Sequence, residues 1–332
     1  MIIELKKNIT KEKADELGKA LSAIVVQNGG SMLLVTPSKL KTLDEKYLQY
    51  AERHIAMDDD IQLASKKYYS GVREIKIGDI TIGGKTNNTM VITGPCSVES
   101  EEQITQAAEL CVKLGVKILR AGAFKPRTSP YTFQGMGIDG LKLLAKMRDK
   151  YKLKIITEVR DSTHIKDIIE YADIVQVGAK SMYDHGILRA CAKAGKPILL
   201  KRGFGTTLQE FVQAAEFILS GGNPDVMLCE RGIRTFETKT RFTLDLCGAA
   251  YLKEYTNLPV VLDPSHAIGY AYGVADLTRA CMAMGVDGLL VETHPNPAVA
   301  KSDASQQLNF DEFTKLFETL KPIAKAVGRN II

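Results

Sequence analysis

The residues of this chain best able to do chemistry are charged or metal-binding, and they sit in short clusters far apart in sequence. Cys96 follows Gly94-Pro95. Asp263 and His266 share an Asp-Pro-Ser-His run, Glu292 and His294 a Glu-Thr-His run, and Asp303 follows Ser302. Cys96, His266, Glu292 and Asp303 would together offer sulfur, nitrogen and oxygen ligands. That mixture suits a borderline divalent ion such as Mn²⁺, Fe²⁺, Co²⁺ or Zn²⁺ better than Mg²⁺ or Ca²⁺. A second group is cationic: Arg120, Lys125, Arg127, Lys180, Lys201 and Arg231. Cations gathered in one pocket repel one another unless anions neutralise them, and arginine forks match phosphate and carboxylate geometry. The group therefore calls for small substrates with several negative charges. Pairing with Glu158, Glu230 and Asp263 is the alternative use for part of it.

Such distant residues meet only if the elements between them bring them together. From residue 90 onward, apolar runs rich in Val, Ile and Leu begin near Met90, Lys117, Lys154, Ile174, Pro197, Val226, Pro259 and Gly288. Continuous apolar runs of this length are what strands of a buried parallel sheet require. Helical patterns separate them, for example over residues 101–114, 208–219 and 277–284, and a last one covers 310–326. Eight strand-then-helix units argue for an α/β fold closed as a (β/α)₈ TIM barrel. An open doubly wound sheet fits less well, because no G-x-G-x-x-G turn follows any strand. In such a barrel, functional groups come from the C-terminal strand ends and the loops beyond them. Cys96 follows strand one, Arg120 ends strand two with Lys125 and Arg127 in its loop, and Glu158 ends strand three. Lys180 follows strand four, Lys201 ends strand five, and Glu230 and Arg231 end strand six. Asp263 and His266 follow strand seven, Glu292 and His294 end strand eight, and Asp303 lies beyond it. Strands one, seven and eight are neighbours in a closed barrel, so the four mixed donors converge.

The start of the chain reads differently. Residues 1–6 are strand-like, 11–21 helical with Thr10 as N-cap, and 23–27 and 32–35 short strands joined through Asn28-Gly29-Gly30-Ser31. Residues 43–54 read as a second helix and 61–64 as a last strand. The order βαββαβ is ferredoxin-like. This predicts a small domain over residues 1–70 and a catalytic barrel over 71–332, the latter opening with a hairpin at 75–82 around Gly78-Asp79.

Composition narrows the field. The chain has 332 residues with a net charge of +5 and no basic cluster of the kind that grips nucleic acid, so no nucleic-acid partner is expected. No apolar run is long enough for a bilayer span, and residues 1–7 do not begin a signal peptide, so a cytoplasmic enzyme without a membrane partner is expected. The six cysteines are scattered without a C-x-x-C pair and should be reduced, most of them as small buried hydrophobes; Cys96, between a proline and a serine, is the exception.

At these clusters the chain resembles a known family. The runs Gly94-Pro95-Cys96-Ser97-Val98-Glu99, Lys125-Pro126-Arg127-Thr128-Ser129-Pro130 and Gly178-Ala179-Lys180-Ser181-Met182 are similar to those of 3-deoxy-D-arabino-heptulosonate 7-phosphate (DAHP) synthases. So are Leu200-Lys201-Arg202-Gly203, Glu230-Arg231-Gly232, Asp263-Pro264-Ser265-His266, Glu292-Thr293-His294-Pro295 and Ser302-Asp303. The likeness is to the microbial subgroup that shares ancestry with the 3-deoxy-octulosonate 8-phosphate (KDO8P) synthases. It implies condensation of phosphoenolpyruvate with erythrose 4-phosphate at the entry to aromatic amino-acid biosynthesis. It implies Cys96, His266, Glu292 and Asp303 as metal ligands, and Arg120 and Lys125 at the phosphoenolpyruvate carboxylate. It further implies Lys180, Lys201 and Arg231 around the phosphate of phosphoenolpyruvate, with Arg127 and Thr128 gripping the phosphate of erythrose 4-phosphate. Lys125, Glu158 and His266 are the expected catalytic groups, with the proton-transfer base left open. The first 65 or so residues resemble the extension of feedback-regulated members, which implies tyrosine or phenylalanine as a regulatory ligand and a homotetramer. One departure stands out: the residues after His266 read Ala267-Ile268-Gly269-Tyr270-Ala271-Tyr272, where relatives often carry glycine followed by basic residues, so a phosphate contact from that loop is not expected here. KDO8P synthase, which takes arabinose 5-phosphate, is the near alternative, but its counterpart of the Lys-Pro-Arg-Thr-Ser loop begins Lys-Ala-Asn. A silent barrel acting as a sensor is the distant one, and the complete metal and cation sets argue against it.

Overall fold

The computed structural model describes residues 1–125, 129 and 131–332, and only the backbone of Asn28. Its N-terminal part runs β1 (Ile2–Leu5), α1 (Lys11–Ala20), β2 (Ile24–Asn28), β3 (Ser31–Val35), α2 (Glu45–Leu48) and β4 (Ala51–Ile55). The strands form one antiparallel sheet in the order β2-β3-β1-β4, the ferredoxin-like arrangement. Thr10 caps α1 by accepting from the Lys13 N–H, as its place in the sequence predicts.

Two expectations fail here. The helix expected over residues 43–54 shrinks to one turn, and its second half becomes β4. Helix formers occupy that stretch, but β1 offers an unpaired edge, and pairing Ile2 with Ile55 and Glu4 with Arg53 satisfies it; tertiary context overrides propensity. Arg53 Nε lies 2.7 Å from Glu4 Oε2 across that pair. The strand expected over 61–64 does not form, because its N–H groups are used elsewhere. Gln62 and Ala64 each donate at 2.7 Å to Glu216 Oε1, on a helix of the barrel.

The barrel comprises β7 (Asn88–Gly94), β8 (Ile118–Arg120), β9 (Lys154–Val159), β10 (Ile174–Val177), β11 (Ile198–Lys201), β12 (Val226–Glu230), β13 (Val260–Leu262) and β14 (Gly288–Glu292), and it follows the hairpin β5 (Ile75–Ile77) and β6 (Ile80–Ile82). All eight barrel strands are parallel, and β14 pairs with β7 to close the ring. A short β15 (Asn330–Ile331) adds to the start of β7, an element that sequence reading does not anticipate. Helices α3 (Glu101–Leu114), α4 (Ile138–Tyr151), α5 (Ile165–Tyr171), α6 (His185–Cys191), α7 (Leu208–Ser220), α8 (Leu246–Tyr255), α9 (Pro264–Ile268), α10 (Ala271–Ala283) and α11 (Phe310–Ala326) surround it.

Alternation along the strands explains how the site is positioned. Met90, Ile92, Ile118, Ile156, Ile174, Leu199, Met227, Cys229, Val261 and Leu290 form one inner cluster, with Ile75, Ile77, Ile80 and Ile82 of the hairpin packed beneath them as a floor. Their strand neighbours, such as Val91, Leu119, Ile155 and Val175, pack outward against the helices. Because side chains alternate with period two, the residue two beyond an inner apolar one also faces the axis, nearer the mouth. Of the six cysteines, all free, only Cys247 is exposed. No helix among the described residues is long and apolar enough to cross a membrane.

Candidate active site

Counting two residues onward from the inner apolar layer lands on Arg120 from Ile118, Glu158 from Ile156, Gln176 from Ile174, Lys201 from Leu199, Asp263 from Val261 and Glu292 from Leu290. The pattern thus places a ring of polar groups directly above an apolar plug. Arg120 is only 1 % exposed, and burial of so large a cation requires partners. Its Nη1 donates to Glu292 Oε1 at 2.5 Å, its Nε to Gln176 Oε1 at 3.1 Å, and its Nη2 lies 3.6 Å from Glu158 Oε2.

The four mixed donors do converge. Ligand atoms of Cys96, His266, Glu292 and Asp303 all lie within 4.8 Å of one another. Cys96 Sγ is 3.1 Å from Asp303 Oδ2, and His266 Nε2 is 3.4 Å from Glu292 Oε1 and 4.0 Å from Asp303 Oδ2. Asp263 Oδ2 lies 2.7 Å from His266 Nδ1, so the ring turns its other nitrogen, Nε2, toward the two carboxylates. Burial lowers the His266 pKa and so favours the neutral ring. Burial, with Glu292 close by, pushes the Cys96 thiol up to about 12. A buried point on which sulfur, imidazole nitrogen and two carboxylates converge is a poor environment for anything but a cation, which would also favour the thiolate. The donor set fits a borderline divalent metal.

Beside it lies a cavity of about 380 Å³, lined by Lys125, Glu158, Lys180, Lys201, Arg231, Arg241, His266 and Asp303 together with Ser129, Thr132, Ala179, Phe204 and Phe242. Lys125 joins the two regions, with its Nζ 3.0 Å from Cys96 Sγ and 3.1 Å from the Cys96 carbonyl oxygen. Lys201 Nζ lies 2.5 Å from Asp263 Oδ2; burial opposes ionisation there, but His266 and Lys201 hold the Asp263 carboxyl well below the usual carboxylate range. Arg127 and Thr128 lie outside the described residues.

Residues 60–328 match the DAHP synthetase I family. The chain belongs to that family. Among curated proteins, DAHP synthase relatives include the phospho-2-dehydro-3-deoxyheptonate aldolase of Thermotoga maritima, 43 % identical over 270 residues that span 81 % of this chain and 79 % of the relative. The 2-dehydro-3-deoxyphosphooctonate aldolase of Fusobacterium nucleatum is 31 % identical and covers 77 % of this chain and 98 % of its own. The crystal structure of the Thermotoga maritima DAHP synthase superposes with a TM-score of 0.80 at 36 % identity, covering 100 % of this chain and 99 % of that one. A truncated form of the same enzyme covers 81 % of this chain and 98 % of its own, with a TM-score of 0.76 and 39 % identity.

Against this DAHP synthase background, two residues counted in the strand-end ring are placed differently. Glu230 faces outward from the axis, where it accepts from the Gly232 N–H at 2.6 Å and pairs with Arg202 at 3.2 Å, so it supports the loop instead of the cavity. His294 stands apart from the four donors; its Nδ1 accepts from the Asn296 N–H, and its Nε2 is 3.6 Å from Glu99. Other residues of the site escape sequence reasoning. Gln306 donates to Glu292 Oε2 at 2.7 Å and accepts from Arg241 at 2.8 Å, while Gln307 accepts from the Cys96 N–H at 3.0 Å. Gln176 is within reach of the alternation rule; Arg241, Phe242 and the two loop glutamines follow no strand period.

Proposed function

We propose that this chain is a DAHP synthase that joins phosphoenolpyruvate to erythrose 4-phosphate and water, releasing DAHP and phosphate, the first step of the shikimate pathway. The observation that carries this reading is the meeting, at one barrel mouth, of a four-donor metal cluster with a cation-lined cavity. Arg120 and Lys125 hold the phosphoenolpyruvate carboxylate, and Lys180, Lys201 and Arg231 surround its phosphate. Arg127 and Thr128 grip the aldose phosphate. Holding two polyanions at bonding distance is mainly an orientation task, and fixed cations reduce their mutual repulsion. Carbon 3 of phosphoenolpyruvate attacks the aldehyde carbon, water adds at carbon 2, and phosphate leaves by carbon–oxygen cleavage. Glu158, on the cavity wall and held through Gln176 at 2.6 Å, is placed to move a proton. Cys96, His266, Glu292 and Asp303 would hold a divalent ion, which would supply a Lewis acid for the aldehyde oxygen. Mn²⁺, Fe²⁺, Co²⁺ and Zn²⁺ all suit these donors.

The division of the chain near residue 70, with the preceding part acting as a regulatory domain for tyrosine or phenylalanine in a cytoplasmic homotetramer, belongs to the same proposal. In its support, none of the site residues precedes residue 90, while the ferredoxin-like strands hydrogen-bond in a sheet of their own. The test of the reading is metal removal. A chelator should abolish phosphate release from the two substrates, and added Mn²⁺, Co²⁺ or Zn²⁺ should restore it. Cys96→Ala should need at least about tenfold more metal for the same rate. Full activity of Cys96→Ala in chelator would overturn it.

A further inference from the structure

Arg231 is 5 % exposed, yet among the described residues no carboxylate pairs with it. The two nearest acids in sequence and space are committed elsewhere: Glu230 to Arg202, and Asp263 to Lys201 and His266. One guanidinium nitrogen, Nη1, is buried without a hydrogen-bond partner. What holds the group is a ring. The guanidinium carbon lies 4.6 Å from the centroid of Phe242, and Phe242 stacks on Phe204 at 5.3 Å and 23°. Arg234 lies over the other ring of the pair, 4.9 Å from Phe204. The stack therefore reads Arg231, Phe242, Phe204, Arg234, and Arg241 also lies over Phe242, 5.7 Å from its centroid and farther than Arg231.

The backbone fixes Phe242 independently of Arg231. Its N–H donates to the Ala267 carbonyl at 2.8 Å, and the Arg241 N–H donates to Ile268 at 3.0 Å. Ile233 and Thr243 exchange two 2.9 Å hydrogen bonds across the base of the loop, and the Arg234 N–H donates to the Phe204 carbonyl. Gly232 makes the approach feasible, since a Cβ there would lie 2.8 Å from Phe242 Cβ and 2.9 Å from Ala267 Cα, at a φ of +92°.

We propose that Phe242 is a positioning residue for Arg231, orienting its guanidinium on the cavity wall so that it binds the phosphate of phosphoenolpyruvate. The physical logic is that a carboxylate partner would orient the arginine but compete with the substrate for its charge. An aromatic face attracts the cation through its quadrupole, keeps it flat, and leaves its N–H donors for the anion. Residue 242 thereby sets affinity for phosphoenolpyruvate through Arg231.

This inference rests on the reading of Arg231 as a phosphate contact, and the test separates the two. Equilibrium binding of phosphoenolpyruvate to the metal-loaded full chain is measured for the wild type, Arg231→Ala, Phe242→Ala, the double variant, Phe242→Leu and Phe242→Tyr. Phe242→Ala and Phe242→Leu should each weaken binding about tenfold, the scale of a desolvated cation–π contact, while Phe242→Tyr stays within about twofold of wild type. In the Arg231→Ala background, Phe242→Ala should add less than about twofold, because its effect passes through the missing arginine. The KM for erythrose 4-phosphate should stay within about twofold in the Phe242 variants. Wild-type binding by Arg231→Ala would overturn the phosphate contact itself. Weakened binding by Arg231→Ala with no effect of Phe242→Leu, or an undiminished Phe242→Ala effect in the double variant, would overturn the positioning role alone.

Discussion

At the scale of single residues, the cations of the site differ in how the protein already holds them. Arg120 is held by Glu292 and Glu158, and Lys201 by Asp263, whereas Arg231 has no carboxylate partner among the described residues. Arg127 should act on the other substrate alone: losing a charged hydrogen bond to a phosphate costs roughly 2–3 kcal/mol, so Arg127→Ala should raise KM for erythrose 4-phosphate by well over tenfold. Steady-state kinetics with each substrate varied in turn checks this, and equal rises in both KM values would contradict it. The four candidate metal donors are legible in the sequence as sulfur, nitrogen and carboxylate at three neighbouring strand ends, but residue type does not separate them from His294 and Asp263 at those same ends; the geometry does. The outward turn of Glu230 is not, because position at a strand end says nothing of the side-chain parity that separates residue 230 from residues 229 and 231. Gln306 and Gln307 are invisible for a different reason: an amide in a loop has no signature until the groups it bridges are placed.

At the scale of elements, the eight barrel strands can be read because buried parallel strands are continuously apolar and bounded by helices of ordinary length. The N-terminal elements are harder to read, since short strands such as β4, with Glu52, Arg53 and His54, owe their state to the edge they pair with. The segment 61–64 illustrates how one buried side chain can decide an element. Glu216 of α7 accepts from both Gln62 and Ala64, and burial pushes its pKa up to about 7. For a carboxyl whose folded pKa is raised, the contribution to stability is present at pH below its unfolded value and is lost as pH rises through about 7. Glu216→Gln keeps an acceptor oxygen and removes the charge. It should therefore melt above the wild type at pH 8, by up to about 3 kcal/mol of stability, and the gap should close by pH 5. Thermal denaturation of both proteins at the two pH values checks this; a constant difference would contradict the assignment.

At the scale of the whole molecule, the N-terminal sheet and the barrel share one apolar core: Ile2, Val26, Leu33, Val35, Met57 and Leu63 pack in continuity with the barrel's outer layer. The connecting segment is also tied to the end of α8, with Lys66 N–H donating to the Tyr255 carbonyl and Arg73 N–H to Asn257. A chain starting at Ile61 keeps those ties and should fold, turn over both substrates and ignore tyrosine and phenylalanine, while the full chain is inhibited; a start at Ile75 would strip the ties away. Rate assays with and without each amino acid decide it, and full-length activity indifferent to both would make the domain structural. Regulation requires that the ligand bind one state better than another, so this test bears on the domain and leaves the chemistry untouched. The chemistry is tested most directly by phosphate release from phosphoenolpyruvate with each aldose phosphate in turn, the product being weighed by mass spectrometry. With erythrose 4-phosphate the metal-loaded chain should release one phosphate for each seven-carbon keto-acid phosphate formed, and arabinose 5-phosphate should give little of either. Preferential release with arabinose 5-phosphate and an eight-carbon product, or no release with either aldose, would contradict the account.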